Sequence, residues 1–413
     1  MTHGYSNDAA RSMASTSAYR MRALMVLVAL ALGSPAAFAQ FSSGSTGADG
    51  ALDLTGQEGV IELDPQALGI DPERDNVFHF TTVRIPAGVT LRLRVTKLRL
   101  APVYWLATGP VEIDGDLDLS GDDGHPGNAP LPHPALPGPG GFHGGVGGRP
   151  DNAPPMGGFG PEGGAAQAGA IPGLFLTPLR GGSGGAGNFA NPSVGLTVGP
   201  GGSAGGGAIL IASDDRLRID GKISCNGGAP GEFAAGAFLA RGYPGAGGGI
   251  RILAPRVSGA GTLEVRAGNP AFVDNSGVIR VETSENAFSG ALVGRSRVVT
   301  LTPTVRFRPD QLGLTIPELR VVRVSGVELP LAPTGTFVMP DVVIETGSAV
   351  FEIEARNIPI GTTVTLEVWN ETLGRFNFTS IGLEGTFESS TATATRGNFP
   401  SGYSLVVPYA RWQ

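Results

Sequence analysis

The chain of 413 residues is poor in cysteine, in lysine and in helical periodicity. Cys225 is its single cysteine, which excludes an internal disulfide, so the fold must be held by packing and hydrogen bonds. Lys97 and Lys222 are the only lysines, and arginine carries the rest of the positive charge. Beyond the N-terminal region no apolar run approaches the roughly 20 residues of a spanning helix, so we expect no transmembrane segment in the mature chain.

The N-terminal region has the features of a secretory signal. Arg20 and Arg22 precede the apolar run 23–32, and a small-x-small cleavage pattern follows at residues 37–39. We therefore predict a signal peptide over 1–39 and a secreted protein, either extracellular or on the outer surface, with the periplasm as the other open destination. Met21 is a second possible start.

The predicted mature chain is acidic. Removal of residues 1–39 leaves a net charge of −9, against −7 for the full chain. Nucleic acid and anionic membrane surfaces are poor partners for such a chain. We predict no nucleic-acid binding and no cofactor.

One sequence motif is repeated imperfectly along the chain, at 105–121, 211–227 and 252–268. Each copy is a strand, a corner and further short strands, which predicts one supersecondary unit laid down again and again. Aligning Ile113-Asp114-Gly115 with Ile219-Asp220-Gly221 places Glu112 beside Arg218 and Asp116 beside Lys222. These pairs are predicted on adjacent strands.

The repeats predict an all-β chain whose residues 40–310 form a right-handed parallel β-helix (solenoid) interrupted by long Gly/Pro-rich insertions at 121–207 and 227–249. Residues 47–108 are expected to form its first rungs or a cap. The first insertion holds 29 of the 66 glycines without the strict three-residue period of collagen. Because it also carries large apolar side chains such as Phe142, Phe159 and Phe189, we expect irregular but partly ordered loops that lie against one face. The glycine triplets 205–207 and 247–249 are expected to take positive φ at tight corners.

Glycine thins out after about Arg320. Short alternating runs such as 342–345, 349–355, 362–369 and 403–409 predict an antiparallel, immunoglobulin-like β-sandwich over 320–413. We expect this segment to fold as a unit of its own.

The glycine tracts that feed into GGGAILIA, GGGIRILA and SGVIRVE, followed by IDGDLDLSG and IDGKISCNG, resemble the glycine-rich secreted bacterial proteins of the pectin-lyase-like parallel β-helix type. The resemblance covers roughly residues 47–300. It implies the β-helix, whereas its enzymes' catalytic motifs have no match here. That fold hosts lyases, hydrolases and adhesins, so no single activity is implied.

Candidate sites are few. The run of aspartates that begins at Asp114 does not have the spacing of an EF-hand. Asp122, Asp123 and His125, at the corner after the first repeat, are candidate ligands of a hard cation. His125, His133 and His143 match no zinc pattern. Cys225 falls on the inward phase of its strand and is predicted to be a buried apolar residue.

Two classes of function stay open. The first is a non-catalytic structural or binding protein whose partner is a polysaccharide or another envelope component. The second is a carbohydrate-active enzyme, a polysaccharide lyase or glycoside hydrolase, that would use Asp116, Asp220, Arg216 or Arg218 in an acidic groove. The predicted pairing of these charges across strands favours the first class.

Overall fold

A computed structural model of the chain describes residues 41–130, 132–149, 155–160, 176–271, 273–300, 317–330, 333, 340–345 and 347–412. The predicted signal peptide lies outside these residues. Among the described residues from 41 to 300, regular structure is almost entirely β, apart from the helical turn Pro65–Leu68 and two short 3₁₀ turns. The strands are β1 (Gly50–Asp53), β2 (Gly59–Glu62), β3 (Val77–Ile85), β4 (Val89–Arg92), β5 (Val103–Ala107), β6 (Val111–Ile113), β7 (Asp116–Asp118), β8 (Ala208–Ser213), β9 (Arg216–Ile219), β10 (Lys222–Ser224), β11 (Glu232–Ala235), β12 (Phe238–Arg241), β13 (Gly249–Gly259), β14 (Thr262–Glu264), β15 (Val278–Phe288), β16 (Ala291–Val293) and β17 (Arg295–Thr300).

The main sheet is built from parallel strands in the order β17-β15-β13-β8-β5-β3-β6-β9, with β1 paired to β3. The long strand β3 pairs with β5 and then with β6, and the long strand β13 pairs with β8 and then with β9. The β13–β9 pairing closes a circuit of six parallel strands, β13-β8-β5-β3-β6-β9. The main sheet is thus a closed parallel barrel, and the predicted right-handed parallel β-helix is wrong. Repeat spacing gave the register of neighbouring strands but not this closure, which depends on two strands long enough to pair twice.

A second parallel sheet has the order β16-β14-β10-β7-β4-β2. Its register, and that of the main sheet, confirm the repeat alignment. Glu112 lies opposite Arg218, and Asp116 lies opposite Lys222. Trp105 pairs with Ile211, which pairs in turn with Ile252. Residues 47–108 supply strands to both sheets and are not a separate cap.

Both parallel sheets contribute to one apolar core. The alternation of apolar and polar residues sends one face of every strand inward, as period two requires. Phe78, Trp105, Ile211 and Ile252 come from the main sheet, and Leu117 from the second, all without solvent exposure. Removing this apolar surface from water is the main source of stability for this part of the chain.

The described parts of the glycine-rich insertions are more regular than the irregular but partly ordered loops that the sequence predicts. Residues 199–207 lie at the centre of these insertions, and all of them are buried. This segment donates hydrogen bonds to three neighbouring segments. The N–H groups of Gly199, Gly202 and Gly205 donate to the carbonyls of residues 148, 145 and 142, and those of Gly201, Ala204 and Gly207 donate to the carbonyls of residues 125, 122 and 119. The N–H groups of Ser203 and Gly206 donate to the carbonyls of residues 243 and 246. Each neighbour is contacted every third residue. A period of three is also that of the polyproline II helix, which has no internal hydrogen bonds and so leaves its N–H groups for neighbouring segments.

Other segments join in the same way. Phe142, Gly145 and Gly148 donate to residues 182, 185 and 188, and Gly121, Gly124 and Gly127 donate to residues 226, 229 and 232. We call the set of segments 121–127, 138–148, 156–159, 181–188, 199–207, 226–231 and 242–249 the glycine-rich bundle. The three-residue period is therefore present, but it is expressed between segments that are 40 to 105 residues apart.

Close approach of the backbones explains why glycine fills the bundle. A Cβ atom at Gly205 would overlap the carbonyl oxygen of Gly182, and one at Gly248 would overlap that of Gly207. Neither the 205–207 nor the 247–249 triplet has positive φ, so the predicted tight corners are wrong. Glycine is needed there because no side chain fits between the backbones.

The C-terminal part consists of two antiparallel sheets. Its strands are β18 (Glu318–Val324), β19 (Val327–Glu328), β20 (Ala349–Arg356), β21 (Thr363–Asn370), β22 (Gly374–Gly382), β23 (Glu384–Gly385), β24 (Ser390–Arg396) and β25 (Ser404–Ala410). One sheet has the order β19-β18-β20-β24-β23 and the other β22-β21-β25. A core that includes Phe351, Ile353 and Leu366 lies between them. This sandwich-like arrangement agrees with the prediction, except that residues 342–345 form no strand and that β18, β19, β23 and β24 were not predicted.

The glycine-rich bundle packs against the outer side of this C-terminal part. Val146, Met156 and Phe159 of the bundle form a buried cluster with Trp369 and with Leu405 and Val407 of β25. The Arg375 guanidinium lies 5.6 Å from the centre of the Phe159 ring. The two regions thus share an apolar interface.

Candidate functional site

Three of the four charges proposed for catalysis, Arg216, Arg218 and Asp220, lie in a row on the outer surface of the main sheet. Glu112 on β6 faces Arg216 and Arg218 on β9, with nitrogen–oxygen distances of 3.3 and 3.6 Å. Arg218 also lies 2.8 Å from Asp114 and pairs with Asp220. We call Glu112, Asp114, Arg216, Arg218 and Asp220 the charged ladder.

Each member of the charged ladder is partly exposed, and the Arg218 and Asp220 side chains are 35 and 41% accessible. The Ala260 N–H and then the Arg218 guanidinium hold the pKa of Asp220 below its usual value, while the hydrogen bond to Asp114 leads the rise in the pKa of Arg218. Both groups therefore stay charged at neutral pH. Such a set can hold register or contact a polar partner, but Asp220 is a poor proton donor.

Asp116 and Lys222 lie elsewhere, on the outer surface of the second sheet. Thr90, Asp116, Lys222 and Thr262 occupy successive strands in one row, and we call this row the polar ladder. Among the ion pairs of the described residues, none joins Asp116 to Lys222. In the neighbouring row Arg92 lies 3.3 Å from Asp118, whose other oxygen accepts a hydrogen bond from Ser224. Thus the structure does not bring Asp116 together with Asp220 and the arginines.

Asp122, Asp123 and His125 lie at the start of the glycine-rich bundle, where they hold neighbouring segments. The Asp122 carboxylate lies 2.6 Å from Arg94, and Asp123 accepts a hydrogen bond of 2.7 Å from the Ala229 N–H. Nε2 of His125 accepts from the Gly147 N–H at 3.1 Å, while Nδ1 lies 3.0 Å from the carbonyl oxygen of Pro126. These contacts fit the neutral tautomer with the proton on Nδ1.

That arrangement leaves His125 without a nitrogen lone pair for a metal. Burial lowers the pKa of His125, which keeps the ring neutral at neutral pH. Within the described part of the chain, no group of three or more His, Cys, Asp and Glu side chains is placed to hold a metal ion. The chemistry of this corner is therefore structural: its side chains join the β7 end of the second sheet to the bundle.

Cys225 is fully buried in the core that also contains Leu119, Ile223 and Val265, as predicted. Burial raises the pKa of the Cys225 thiol well above its ordinary value. A nucleophilic cysteine needs the opposite shift and access to solvent.

A largely buried cluster of two arginines and one glutamate on the outer side of the main sheet was not predicted. Nε of Arg251 on β13 and Nε of Arg280 on β15 lie 2.8 and 2.7 Å from one oxygen of Glu282. Burial alone would raise the pKa of Glu282, but the hydrogen bond from Arg280 and the charge of Arg251 bring it below its usual value. The repeated Ile-Arg-Ile/Val pattern at 250–252 and 279–281, with an arginine between two apolar residues, is the sequence feature from which these buried charges could have been predicted.

A cavity of about 1410 Å³ lies where the C-terminal sheets meet the bundle. Its walls include Arg99, His143, Arg320 and Tyr403. Arg99 is 3.9 Å from Glu318, and Arg320 pairs with Glu354, so these charges are compensated. Burial lowers the pKa of His143 to about 4, which makes the ring neutral at neutral pH. The paired arginines and the neutral His143 ring therefore do not form an acid–base pair.

Comparisons with protein-family models, with curated proteins and with solved structures give no match to this chain. Membership in the glycine-rich secreted family therefore stays a prediction from the glycine tracts. None of the helices among the described residues has the length and apolar character needed to cross a membrane.

Proposed function

We propose that the protein is a non-catalytic structural or binding protein of the cell surface or extracellular space, with a polysaccharide or another envelope component as its partner. The charged ladder carries this proposal. Acid–base catalysis requires titratable groups held together in a cleft with shifted pKa values. Glu112, Arg216, Arg218 and Asp220 instead neutralise one another on an exposed surface.

The polar ladder adds the surface that such a role needs. Thr90, Asp116, Lys222 and Thr262 repeat across the second sheet at the strand spacing of about 4.8 Å. Hydroxyl, carboxylate and ammonium groups at fixed intervals suit an extended polymer with many hydroxyl groups. The ladder is part of a sheet with a buried core beneath it, so little ordering entropy is lost on binding.

A polysaccharide panel tests the proposal. Purified mature protein is incubated with neutral and acidic polysaccharides, and the reaction is followed for new reducing ends and for unsaturated products. We expect pull-down with at least one polymer and no products. Thr90→Glu together with Thr262→Glu should weaken that binding at least tenfold, while Thr395→Glu on β24, which lies in another sheet, should not.

Turnover would overturn the proposal in favour of the carbohydrate-active enzyme. The decisive result would be product formation that disappears in an Asp220→Asn variant with unchanged circular dichroism. Failure of the protein to bind any polymer in the panel would remove the polysaccharide as partner.

A further inference from the structure

The outer surface of the second sheet carries charges of two kinds. In the row beside the polar ladder, Arg92 lies 3.3 Å from Asp118, so these two side chains neutralise each other within the protein. Asp116 and Lys222 of the polar ladder lie opposite each other on β7 and β10. Within the described part of the chain, neither of them takes part in an ion pair. The charges of the polar ladder are therefore left for a partner.

The placement of Asp116 beside Lys222 decides which partners it suits. Opposite residues on adjacent strands of a sheet are about 4.8 Å apart. An anion drawn to the Lys222 ammonium also approaches the Asp116 carboxylate, and a cation drawn to Asp116 approaches Lys222, so neither ion gains much net attraction. A hydroxyl group, in contrast, can donate to the carboxylate and accept from the ammonium. The pair therefore matches an uncharged ligand that is rich in hydroxyl groups.

The two threonines of the polar ladder extend this match on both sides. Thr90 on β4 lies opposite Asp116, and Thr262 on β14 lies opposite Lys222. All four side chains are half-buried by their neighbours in the sheet. A threonine hydroxyl both donates and accepts hydrogen bonds. Every member of the ladder can thus bind a hydroxyl group, and the net charge of the row is zero.

The direction of the row sets the direction of a bound polymer. Strands β7, β10 and β14 have only three residues each, so one strand offers at most two outward side chains. The polar ladder instead crosses four strands and spans about 14 Å, which is three strand spacings. An extended polymer meets the most ladder side chains when it lies across the strands.

From the uncompensated opposite charges and the flanking hydroxyl groups, we propose that the partner is an uncharged polysaccharide that lies across the strands of the second sheet. The Asp116 carboxylate and the Lys222 ammonium hydrogen-bond to hydroxyl groups of one sugar, and Thr90 and Thr262 contact the sugars on either side. This inference rests on the proposed function, which names a polysaccharide without fixing its charge.

The test compares acidic polymers with their uncharged counterparts. Polygalacturonate and polymannuronate are each titrated into the purified mature protein before and after chemical reduction of their carboxyl groups to alcohols, and binding is measured by isothermal titration calorimetry. We expect at least one reduced polymer to bind about tenfold more tightly than its acidic parent, as hydrogen bonds to charged groups allow. Added salt should leave binding of the reduced polymer unchanged, because no net charge is paired.

Two variants of the central pair give opposite shifts in polymer preference. Asp116→Asn leaves Lys222 as an unbalanced cation, so it should weaken binding of the reduced polymer about tenfold and strengthen binding of the acidic parent. Lys222→Gln leaves the carboxylate, so it should weaken binding of both polymers, and of the acidic one more. Glu328→Gln on β19 makes the same change of net charge as Asp116→Asn in another sheet and should change neither affinity. Circular dichroism melts confirm that each variant is folded.

The outcomes separate this inference from the proposed function. Equal or tighter binding of the acidic parents by the wild-type protein overturns the inference and leaves polysaccharide binding in place. Folded Asp116→Asn and Lys222→Gln variants that keep the wild-type affinities overturn it in the same way, because the polymer then binds elsewhere. If no polymer binds, acidic or reduced, the inference and the polysaccharide partner fail together.

Discussion

The parallel sheets and the glycine-rich bundle satisfy their backbone groups in the same way but fill the space between backbones differently. In the sheets, Trp105, Ile211 and Ile252 stack in a row and bury apolar surface. In the bundle, the 199–207 segment donates hydrogen bonds to neighbours on several sides, and almost no side chain separates it from them. The sheets therefore depend on side chains that are present, and the bundle depends on side chains that are absent.

The largest expected effect comes from adding one methyl group at the centre of the bundle. Gly205→Ala places its Cβ against the Gly182 carbonyl, which is backbone and cannot rotate away. We expect a loss of about 4 kcal/mol or more in the free energy of unfolding, measured by urea denaturation. Gly397→Ala, whose added Cβ would meet nothing within 4 Å, is the matched control and should change stability by less than about 0.5 kcal/mol. Equal effects of the two changes would contradict the close packing of the bundle.

The sheets should show the opposite sensitivity, to removal of side-chain atoms. Ile211→Ala leaves a cavity between Trp105 and Ile252, and we expect a loss of about 3 kcal/mol in urea denaturation. Ile211→Val, which removes one methylene, should cost about 1 kcal/mol. If both variants were neutral, the row would not be part of a packed core.

The pH dependence of stability sharpens the comparison at the edge of the bundle. The folded-state pKa of His143 is about 4, below the unfolded value of about 6.5, so the unfolded chain binds the proton more tightly. The stabilisation that comes from keeping His143 neutral is fully present above pH 6.5. As the pH falls toward 4, the free energy of unfolding should decrease by about 2 to 3 kcal/mol. His143→Gln should flatten that part of the stability curve relative to wild type. An unchanged slope in His143→Gln would show that the ring is accessible to solvent.

The smallest effects are expected on the charged ladder. Glu112→Gln and Asp220→Asn each remove one partner of an exposed arginine, and such pairs contribute about 0 to 1 kcal/mol. Thermal melts in low and high salt should show a small loss that salt reduces. A loss of several kcal/mol that salt leaves unchanged would mean that the ladder is buried in solution.

The register of the sheets could be predicted from the sequence because it leaves a local trace. Ile113-Asp114-Gly115 and Ile219-Asp220-Gly221 occupy equivalent positions at paired strands, so aligning the identical residues of the two repeats identified which residues are neighbours. The buried state of Cys225 followed from the same alternation. Closure of the main sheet could not be predicted, because it depends on β3 and β13 each being long enough to pair with two successive strands.

The glycine-rich bundle could not be predicted from the sequence for a different reason. Its period of three is shared among segments such as 142–148 and 182–188, each too short to show a repeat by itself. Glycine there signals the close approach of distant backbones, which a single segment does not reveal. The Asp122, Asp123 and His125 corner could be located by its residue types, but its hydrogen bonds to Ala229 and Gly147 depend on that hidden packing.

Native-state amide hydrogen exchange over residues 199–207 tests the central claim most directly. If this segment lies at the centre of a hydrogen-bonded bundle, the amides of Gly202, Ser203 and Gly205 exchange as slowly as those of the neighbouring strand β8. Exchange at the rate of an unfolded chain, while β8 remains protected, would show that the glycine-rich insertions are loops and would contradict the account.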